Sequence, residues 1–347
     1  MRCAVAGASG YLGAELLRLL ADHPNLDVAV AQAESSAGRR IGEVYPSLSR
    51  AYRELVVEGL DPAGLERADV VFVALPSGAS QEVVSALHQK VRLVVDLGAD
   101  FRLKDPADYP RWYGFEHSAP QLLEAAVCGL AELERAGLTG ADLIAVPGCY
   151  VTAAALSLAP LVAEGLVEPT GIVVDAASGT SGAGKSPRED LHHPLRNDSV
   201  SVYGLLTHRH TPEIEQAIGA SVIFTPHLAP MTRGILATCY ARPSATASMR
   251  GDVPATSAEL VDYFRHRYRD EPFVNVCGPE ALVSTADAYG SNVVHLTARV
   301  DPRTGWVIVV AALDNLVKGG SGQAIQAANV ALGLPETAGL PLAGLAP

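Results

Sequence analysis

A glycine-rich turn near the start of the chain constrains its fold more than any other feature. The apolar segment 2–6 leads directly into Gly7-Ala8-Ser9-Gly10-Tyr11-Leu12-Gly13, and residues 11–23 then show helical spacing as far as Pro24. Small residues at this GxxGxxG spacing allow a tight strand-to-helix turn and bring backbone N–H groups to the helix N-terminus, where a pyrophosphate binds. The turn predicts a dinucleotide site, although a purely structural turn has the same composition. The predicted cofactor-binding residues of the turn are Gly7, Ser9, Gly10, Tyr11, Leu12 and Gly13.

Strands and helices alternate through the first part of the chain. Apolar runs at 26–31, 70–75, 93–97 and 143–146 predict strands, and residues 81–89 predict a helix between two of them. Buried strands separated by helices form a parallel sheet with right-handed crossovers. The chain has 347 residues, which is enough for two domains of ordinary size. The sequence therefore predicts an α/β fold that starts with a Rossmann-type parallel sheet.

The pattern changes after residue 148. Longer predicted strands follow one another, and the last two are joined by the turn-rich link Asp301–Gly305, which favours an antiparallel hairpin. We predict a dinucleotide-binding domain over 1–147 together with a C-terminal segment 315–347. A catalytic and oligomerisation domain of α+β type, with a largely antiparallel or mixed sheet, is predicted over 148–314. Its predicted strands are 171–176, 222–228, 234–240, 292–300 and 306–313.

Composition excludes several classes of function. The net charge is −12 and there is no basic run, which argues against a nucleic-acid partner and against an anionic membrane surface. No stretch of about 18 apolar residues predicts a membrane span, and the first residues lack a signal-peptide pattern. The five cysteines include no CxxC pair, which is typical of reduced thiols rather than of disulfides or a zinc site. We expect a cytoplasmic protein.

Pro147-Gly148-Cys149-Tyr150 places a cysteine between a predicted strand and a predicted helix over 152–162. The partial positive charge at a helix N-terminus favours a thiolate, which is the form that attacks carbonyl and acyl-phosphate carbon. The sequence therefore predicts Cys149 as a nucleophile. The alternative is a small buried apolar side chain, as for many free cysteines.

His208-Arg209-His210 precedes Thr211-Pro212, which predicts a helix with Thr211 at the N-cap and Pro212 at its first position. The histidines would then lie on a loop, and one imidazole beside the cysteine would serve as the acid and base. Two histidines at this spacing also resemble a metal pair, but no third ligand follows at a usual distance, so we predict no metal.

The stretch from Ser178 to Pro194 predicts a long Gly/Ser-rich loop. It lacks the spacing of an ATP-binding P-loop. Its backbone fits better as a contact for a nicotinamide or an anionic substrate group. The alternative is a flexible linker. Arg102 follows a predicted strand at the carboxyl edge of the parallel sheet, where such folds bind ligands, and is the first candidate for an anionic substrate group. Arg233 and Lys318 are weaker candidates of the same kind.

The residues after the second strand leave the choice between NAD and NADP open. Glu34 suits the ribose 2′-hydroxyl of NAD, whereas Ser35, Ser36 and Arg39 suit the 2′-phosphate of NADP. The residues alone favour neither cofactor.

Taken together, the motifs resemble the N-acetyl-gamma-glutamyl-phosphate reductase family, which is related to aspartate-semialdehyde dehydrogenase. The resemblance runs nearly from end to end. It rests on Gly7-Ala8-Ser9-Gly10-Tyr11, Ala74-Leu75-Pro76, Asp96-Leu97-Gly98-Ala99-Asp100-Phe101-Arg102-Leu103, Val146-Pro147-Gly148-Cys149-Tyr150-Val151-Thr152, Ser178-Gly179 with Ser181-Gly182-Ala183-Gly184, His208-Arg209-His210-Thr211-Pro212-Glu213-Ile214 and Asp314-Asn315-Leu316-Val317-Lys318-Gly319.

The resemblance implies an aspartate-semialdehyde dehydrogenase-like fold and NADPH-dependent reduction of an acyl phosphate, N-acetylglutamyl 5-phosphate, through a cysteine thioester in arginine biosynthesis. It implies a homodimer or homotetramer that binds a small-molecule substrate. Cys149 is then the nucleophile and His208 or His210 the acid/base. The residues expected at the cofactor are Pro76, Ser178, Gly179, Ser181, Gly182 and Asn315, and those at the substrate are Arg102, Tyr150 and Lys318.

Departures from the family pattern keep alternatives open. Glu34 stands where the family often has an arginine that suits NADP, so NAD(H) remains possible. A relative that acts on a carrier-linked aminoadipyl phosphate has Gly-Cys-Asn where this chain has Gly148-Cys149-Tyr150, which favours the arginine-pathway substrate. A non-catalytic dinucleotide sensor would share the glycine turn, and a cysteine hydrolase would share the cysteine and the histidines.

Overall fold

The computed structural model describes residues 1–345, and these divide into two compact units. The first unit is Met1–Pro147 with Gly320–Leu340, and the second is Gly148–Gly319 with 341–345. Residues 315–319 and 341–345, which we predicted as part of the dinucleotide-binding domain, therefore lie in the second unit.

The elements follow the chain in this order. The strands are β1 (Arg2–Ala6), β2 (Asp27–Gln32), β3 (Val57–Glu58), β4 (Val70–Val73), β5 (Leu93–Asp96), β6 (Val127–Cys128), β7 (Leu143–Ala145), β8 (Ile172–Ser178), β9 (Ser201–Val202), β10 (Val222–Leu228), β11 (Ile235–Ala241), β12 (Val274–Val276), β13 (Val294–Val300) and β14 (Val307–Leu313). The α-helices are α1 (Tyr11–Leu20), α2 (Ile41–Val44), α3 (Pro62–Leu65), α4 (Ser80–Leu87), α5 (Asp108–Trp112), α6 (Ala131–Leu138), α7 (Cys149–Ala163), α8 (His193–Arg196), α9 (His210–Ile218), α10 (Ala245–Arg250), α11 (Ser257–Arg267), α12 (Thr285–Ala288) and α13 (Gly322–Leu332). Short 3₁₀ turns are Glu34–Ser36, Pro46–Leu48, Pro120–Leu122, Thr180–Ala183 and Glu189–Leu191, and Val317–Ser321 forms a π-helical turn.

The first unit contains a seven-stranded sheet in the order β3-β2-β1-β4-β5-β7-β6, and every neighbouring pair of strands is parallel. All four residues of β4 and of β5 are buried, as expected of strands with helices on both faces. Val83, Val84 and Leu87 of α4 share one apolar core with Val71 and Val94 of the sheet. The predicted Rossmann-type sheet is confirmed. Its carboxyl edge carries the turn after β1 and the turn after β4.

The second unit contains a seven-stranded mixed sheet in the order β12-β13-β14-β11-β8-β10-β9. The predicted β13–β14 hairpin is antiparallel, and β8 pairs parallel with β10 but antiparallel with β11. Buried and half-exposed residues alternate along β8 and β11, so one face of the sheet is covered and the other is not. Helix α7 packs on the covered face against β11 and β14, and it also contacts α9. The predicted mixed α+β architecture of this part is confirmed.

Local interactions explain the predicted boundaries that are wrong. Helix α1 ends at Leu20 rather than at His23, because His23 Nδ1 accepts the backbone N–H groups of Asn25 and Leu26. Helix α9 begins at His210, so Thr211 and Pro212 lie within its first turn and not at its start. Here His208 Nδ1 accepts the His210 N–H, which supplies the capping contact that we expected from Thr211.

Two further expectations differ in extent. Helix α7 starts three residues before the predicted Thr152, because the chain enters helical geometry directly after Gly148. The segment 178–194, predicted as a loop, contains two 3₁₀ turns and the beginning of α8. Within 188–197, the backbone hydrogen bonds join residues three or four positions apart. The composition of this segment did not indicate such local turns.

Candidate active site

Cys149 is the first residue of α7. Gly148 occupies the N-cap with extended geometry, φ −66° and ψ 152°, and it has no side chain to cap the helix. The N-terminal amides of α7 therefore stabilise negative charge on the adjacent sulfur. Cys149 is partly exposed, whereas Cys3 and Cys239 are buried, and burial raises the pKa of each of those two thiols to about 12. Cys128 and Cys277 are also partly exposed, so its position at a helix N-terminus, rather than its exposure, sets Cys149 apart.

The imidazole of His210 lies against the backbone of Gly148. A Cβ atom on Gly148 would overlap His210 at Nε2 and Cε1, so only glycine fits beside this ring. His210 is buried and begins α9, which packs along α7. The fold therefore brings His210 next to Gly148, the residue that precedes the cysteine. The sequence alone did not indicate which of the two histidines would lie there.

His208 has a different environment. Its ring makes edge contacts with Tyr150 and Phe224, with ring centroids 5.7 and 5.3 Å away. Burial, and secondarily the positive charge of Arg209, lowers the pKa of His208 to about 4. The Nδ1 atom accepts the His210 N–H at 3.1 Å. His208 is therefore neutral at pH 7, and its contacts hold the start of α9.

Glu213 is a site residue that the sequence analysis did not single out. Its buried carboxylate accepts the Gly148 N–H at 3.0 Å. Glu213 lies three residues after His210 on α9, so both side chains project from the same face of the helix. The signal was present in the sequence as a glutamate at this spacing from the histidine. This contact fastens α9 to the turn that carries Cys149.

Tyr150 is packed inside the second unit. Its hydroxyl donates to the His227 carbonyl at 3.1 Å and accepts a hydrogen bond from the Tyr203 hydroxyl at 3.1 Å. The ring also contacts His210, with centroids 5.9 Å apart. Burial raises the pKa of this phenol far above its usual range. In this arrangement Tyr150 supports both histidines.

Asn315 fastens the Gly/Ser loop. Its Oδ1 accepts the Gly234 N–H at 2.7 Å, and its Nδ2 donates to Ser181 Oγ at 3.0 Å. A Cβ on Gly179 would lie 2.7 Å from Arg233 N, so the loop backbone approaches the neighbouring chain as only glycine permits. Among the predicted cofactor residues, the structure thus brings together Ser178, Gly179, Ser181, Gly182 and Asn315 in the second unit.

Lys318 and Gly319 border the cysteine from the other side. A Cβ on Gly319 would lie 2.7 Å from Cys149 Cβ. Lys318 is fully buried, and its Nζ lies 5.7 Å from the centroid of the Phe273 ring. A buried lysine is uncommon and needs compensating contacts. The buried side chain of Lys318 thus lies one residue before the glycine that packs on Cys149.

The glycine turn of the first unit has the geometry of a dinucleotide cradle. A Cβ on Gly7 would overlap the Ala74 carbonyl after β4, and a Cβ on Gly13 would overlap the Gly7 carbonyl. Gly10 forms the N-cap of α1 and offers no capping side chain. A helix N-terminus of this form accepts a pyrophosphate. The residues present therefore fit a dinucleotide.

The residues after β2 lie beside this turn. Ser9 Oγ and Ser35 Oγ are 3.2 Å apart, so the two hydroxyl groups form a hydrogen-bonded pair beside the glycine turn. Glu34 Oε1 accepts the Leu60 N–H at 3.3 Å. Ser36 is buried, and Arg39 donates to the Glu43 carbonyl at 2.9 Å.

Arg102 and Pro76 occupy turns at the carboxyl edge of the first sheet. The Arg102 guanidinium donates to the Leu97 carbonyl at 2.9 Å, so part of its hydrogen-bonding capacity holds the loop after β5. The Pro76 carbonyl accepts the Ala79 N–H at 3.0 Å and closes the turn before α4.

Within residues 1–345, no group of three or more His, Cys, Asp or Glu side chains has the arrangement of a metal site. None of the helices in this range is both long and apolar enough to cross a bilayer.

Two family models match the chain. Residues 2–141 match the semialdehyde dehydrogenase NAD binding domain, and residues 149–315 match the semialdehyde dehydrogenase dimerisation domain. A NAD(P)-binding domain is therefore present in the first unit.

Several solved structures share the fold. Aspartate semialdehyde dehydrogenase II of Vibrio cholerae is 15% identical with a TM-score of 0.67, over 95% of this chain and 97% of that one. Aspartate semialdehyde dehydrogenase of Candida albicans, solved with NADP, is 15% identical with a TM-score of 0.66 over the same shares. At this identity the likeness concerns the fold alone.

Curated relatives are much more similar in sequence. N-acetyl-gamma-glutamyl-phosphate reductase of Acidothermus cellulolyticus is 50% identical over 100% of this chain and 99% of that protein. The enzyme of the same name from Symbiobacterium thermophilum is 47% identical over 99% of this chain and 98% of that protein. End-to-end identity of this size extends across both units, so the chain belongs to the N-acetyl-gamma-glutamyl-phosphate reductase family of oxidoreductases.

Proposed function

We propose that this chain reduces N-acetyl-γ-glutamyl phosphate to N-acetylglutamate semialdehyde with NADPH, through a thioester on Cys149, as a step of arginine biosynthesis. The observation that carries the proposal is the position of Cys149 at the N-terminus of α7, with the His210 ring against Gly148. The name shared by the curated relatives supports this substrate over the carrier-linked aminoadipyl phosphate.

The first half of the reaction makes an acyl-enzyme. The Cys149 thiolate attacks the acyl carbon, a sulfur–carbon bond forms, and the carbon–oxygen bond to phosphate breaks, so that inorganic phosphate leaves with the bonding electrons. Sulfur suits this step because it is a strong nucleophile as an anion and a good leaving group afterwards. The amides at the start of α7 stabilise the anion before attack.

The second half returns the thiolate. Bound NADPH supplies the hydride that converts the thioester carbon to the thiohemiacetal level. His210, as imidazolium, donates its proton to the thiohemiacetal oxygen and takes it back as that intermediate collapses to aldehyde and thiolate. The buried carboxylate of Glu213, three residues after His210 on α9, accepts the Gly148 N–H and so holds this helix against the turn that carries Cys149. His208, with its pKa lowered to about 4, is unsuited to donating this proton at neutral pH.

Anionic groups of the substrate need cations. Lys318 is our first choice in the second unit, because it is buried and directly precedes Gly319, which packs on Cys149. Arg102, our first choice from the sequence, shares its guanidinium with the Leu97 carbonyl, and we retain it as a candidate of the first unit. Tyr150 then acts through the histidines that it supports rather than through its hydroxyl, which donates to His227.

The cofactor is expected on the first unit. Gly7, Gly10 and Gly13 would admit the pyrophosphate at the N-terminus of α1, and the paired hydroxyls of Ser9 and Ser35 would contact the adenosine ribose or its 2′-phosphate. We retain the Gly/Ser loop fastened by Asn315 as a candidate contact for a nicotinamide or an anionic substrate group.

Glu34 gives the cofactor preference a direct test. Its carboxylate accepts the Leu60 N–H beside Ser35, so its negative charge lies in the same segment as the proposed 2′-phosphate contacts. Glu34→Gln removes that charge and keeps an oxygen acceptor for Leu60. We expect the Kd for NADP⁺ to fall by about fivefold at low ionic strength, with no change for NAD⁺, as measured by fluorescence titration. An equal change for both cofactors would contradict the assignment.

The reaction itself is tested in reverse. Purified protein is mixed with N-acetylglutamate semialdehyde and phosphate or arsenate, and reduction of NADP⁺ and of NAD⁺ is followed separately. We expect phosphate-dependent reduction of NADP⁺. Activity with NAD⁺ alone would keep the reaction and reverse the cofactor preference, and inactivity with both would overturn the substrate.

We also propose that two copies associate through the uncovered face of the second sheet. Apolar side chains on that face are half-exposed or exposed, among them Val173, Ile223, Leu236 and Ile308. The matched model for this part of the chain is described as a dimerisation domain. Ile308→Asp is expected to yield a monomer in analytical ultracentrifugation where the parent chain sediments as a larger species, because burying the new charge is costly.

A further inference from the structure

Two buried carboxyl groups share a single hydroxyl in the first unit. Ser80 Oγ lies 3.1 Å from Asp96 Oδ2 and 2.8 Å from Asp100 Oδ2. All three residues have an exposed fraction of 0%. The reaction described above uses none of them.

A count of hydrogens shows that this cluster lacks one if both carboxyl groups are ionised. A serine hydroxyl has one proton to donate, and two ionised carboxylates have none. Asp100 also accepts the N–H groups of Gly78 at 2.7 Å and Ser80 at 3.0 Å, which makes it the better-solvated anion. If Ser80 donates to Asp100, the contact between Asp96 and Ser80 needs a proton on Asp96. The remaining oxygen of Asp96 accepts the Gly98 N–H at 2.9 Å, which a protonated carboxyl group permits.

We propose that Asp96 is held as a neutral carboxylic acid and acts as a positioning residue: it donates to Ser80, Ser80 donates to Asp100, and Asp100 holds the turn over 76–80. The chain of donors has one direction, and each hydroxyl proton in it has one acceptor. Burial, and secondarily the charge of Asp100, raises the pKa of Asp96 to about 7, in agreement with this arrangement.

The charged groups around Asp96 are few. Asp100 faces it through Ser80, and the positive charge of Arg102 opposes the rise in its pKa. His117 Nε2 contacts the Asp100 carbonyl at 2.6 Å, and burial lowers the pKa of that histidine. Neighbouring strands β4 and β7 present only apolar side chains, and Glu82 of α4 is exposed. Burial and the negative charge of Asp100 therefore outweigh the positive charge of Arg102 at Asp96.

The turn that this cluster holds adjoins the glycine turn. The Ala74 N–H donates to the Ala6 carbonyl at 2.8 Å, and the Ala74 carbonyl occupies the space that a Cβ on Gly7 would need. Segment 76–80 continues from this point into α4. A change in the charge of Asp96 is therefore expected to alter the position of segment 76–80 and, through Ala74, the glycine turn. The expected effect on cofactor binding rests on the proposed function.

The pH dependence has a defined sign. The pKa of Asp96 is about 7 in the fold against an ordinary value of 3.8, so the folded chain keeps a proton that the unfolded chain loses. The resulting stabilisation is complete at acidic pH, decreases as the pH rises from about 4 to about 7, and is absent above that. Above about pH 7, ionised Asp96 competes with Asp100 for one hydroxyl proton and loosens the turn.

Asp96→Asn is the decisive variant, because its amide donates to Ser80 and its oxygen accepts from Gly98 as the neutral acid does. We expect its Tm to match that of the parent chain near pH 4 and to exceed it progressively up to about pH 7.5. Asp100→Asn, the matched control, replaces an anion that accepts three hydrogen bonds and should lower Tm across this whole range. The Kd for NADP⁺ should rise at least about threefold from pH 6 to pH 8 in the parent chain and follow a flatter course in Asp96→Asn.

Infrared difference spectra between the parent chain and Asp96→Asn supply a test that needs no cofactor. A carboxylic-acid carbonyl band, present in the parent chain at about pH 6 and lost in the variant, is the expected result. Absence of the band, or a loss of Tm in Asp96→Asn as large as in Asp100→Asn, would overturn the proposal. If the band and the Tm profile are as expected but the chain reduces neither cofactor, the proposed function fails and the neutral Asp96 stands.

Discussion

Replacing Cys149 by serine is expected to lower turnover by at least about 10³-fold while leaving the Kd for NADP(H) unchanged. A serine hydroxyl is not ionised near neutral pH and leaves poorly from the tetrahedral adduct, so both halves of the proposed reaction slow. The proposed cofactor contacts at Gly7, Ser9 and Ser35 involve other residues. Steady-state kinetics in the phosphate-dependent direction, with fluorescence titration of the cofactor, separates the two effects.

Cys277 provides the matched control. It is partly buried in the same unit, and burial raises the pKa of its thiol. Cys277→Ser should keep turnover within about twofold of the parent chain. Iodoacetamide at neutral pH should label Cys149 first, because Cys149 lies at the N-terminus of α7, whereas Cys3 and Cys239 are buried and burial raises the pKa of the Cys277 thiol. Near-normal turnover in Cys149→Ser would refute the nucleophile.

The second large effect distinguishes the histidines. His210→Asn should lower kcat by about 10²- to 10³-fold, because it removes the proton donor beside the Cys149 turn. His208→Asn should cost less than about tenfold, since an asparagine oxygen retains an acceptor for the His210 N–H. The pKa of His208 is lowered to about 4, so its removal should leave the neutral-pH part of the rate profile unchanged.

Rate profiles between about pH 5 and pH 9 for both variants provide the measurement. His210→Asn should lose the limb that reports the catalytic acid, and His208→Asn should keep it. Thermal unfolding of both variants controls for damage to α9, whose first turn His208 caps. A larger loss of kcat in His208→Asn than in His210→Asn, with equal Tm values, would reverse the assignment.

Local rules were sufficient for much of the fold. The GxxGxxG turn after an apolar strand specified β1 and α1, because few other residues tolerate the contacts at Gly7 and Gly13. Unbroken apolar runs specified β4 and β5, which are buried throughout. The position of Cys149 at a helix N-terminus followed from Pro147-Gly148 between apolar segments. Each of these features depends on residues close together in the chain.

Features that depend on distant residues could not be predicted in this way. The start of α9 was placed wrongly because the capping group is the ring of His208, not the side chain of Thr211. Glu213 was overlooked because its partner, the Gly148 N–H, is 65 positions away. The buried pair Asp96 and Asp100 was noted only as part of a motif, since their shared serine lies on another element.

The amino-acid order was enough to specify the type of fold and the family and to single out Cys149 as the proposed nucleophile, because these depend on short motifs whose chemistry is local. The roles of the two histidines required the folded chain. They differ by two positions on one segment, yet one packs on Gly148 and the other among Tyr150 and Phe224. Burial and neighbouring charge set the protonation of a side chain, and both arise only when α7, α9 and the sheet pack together.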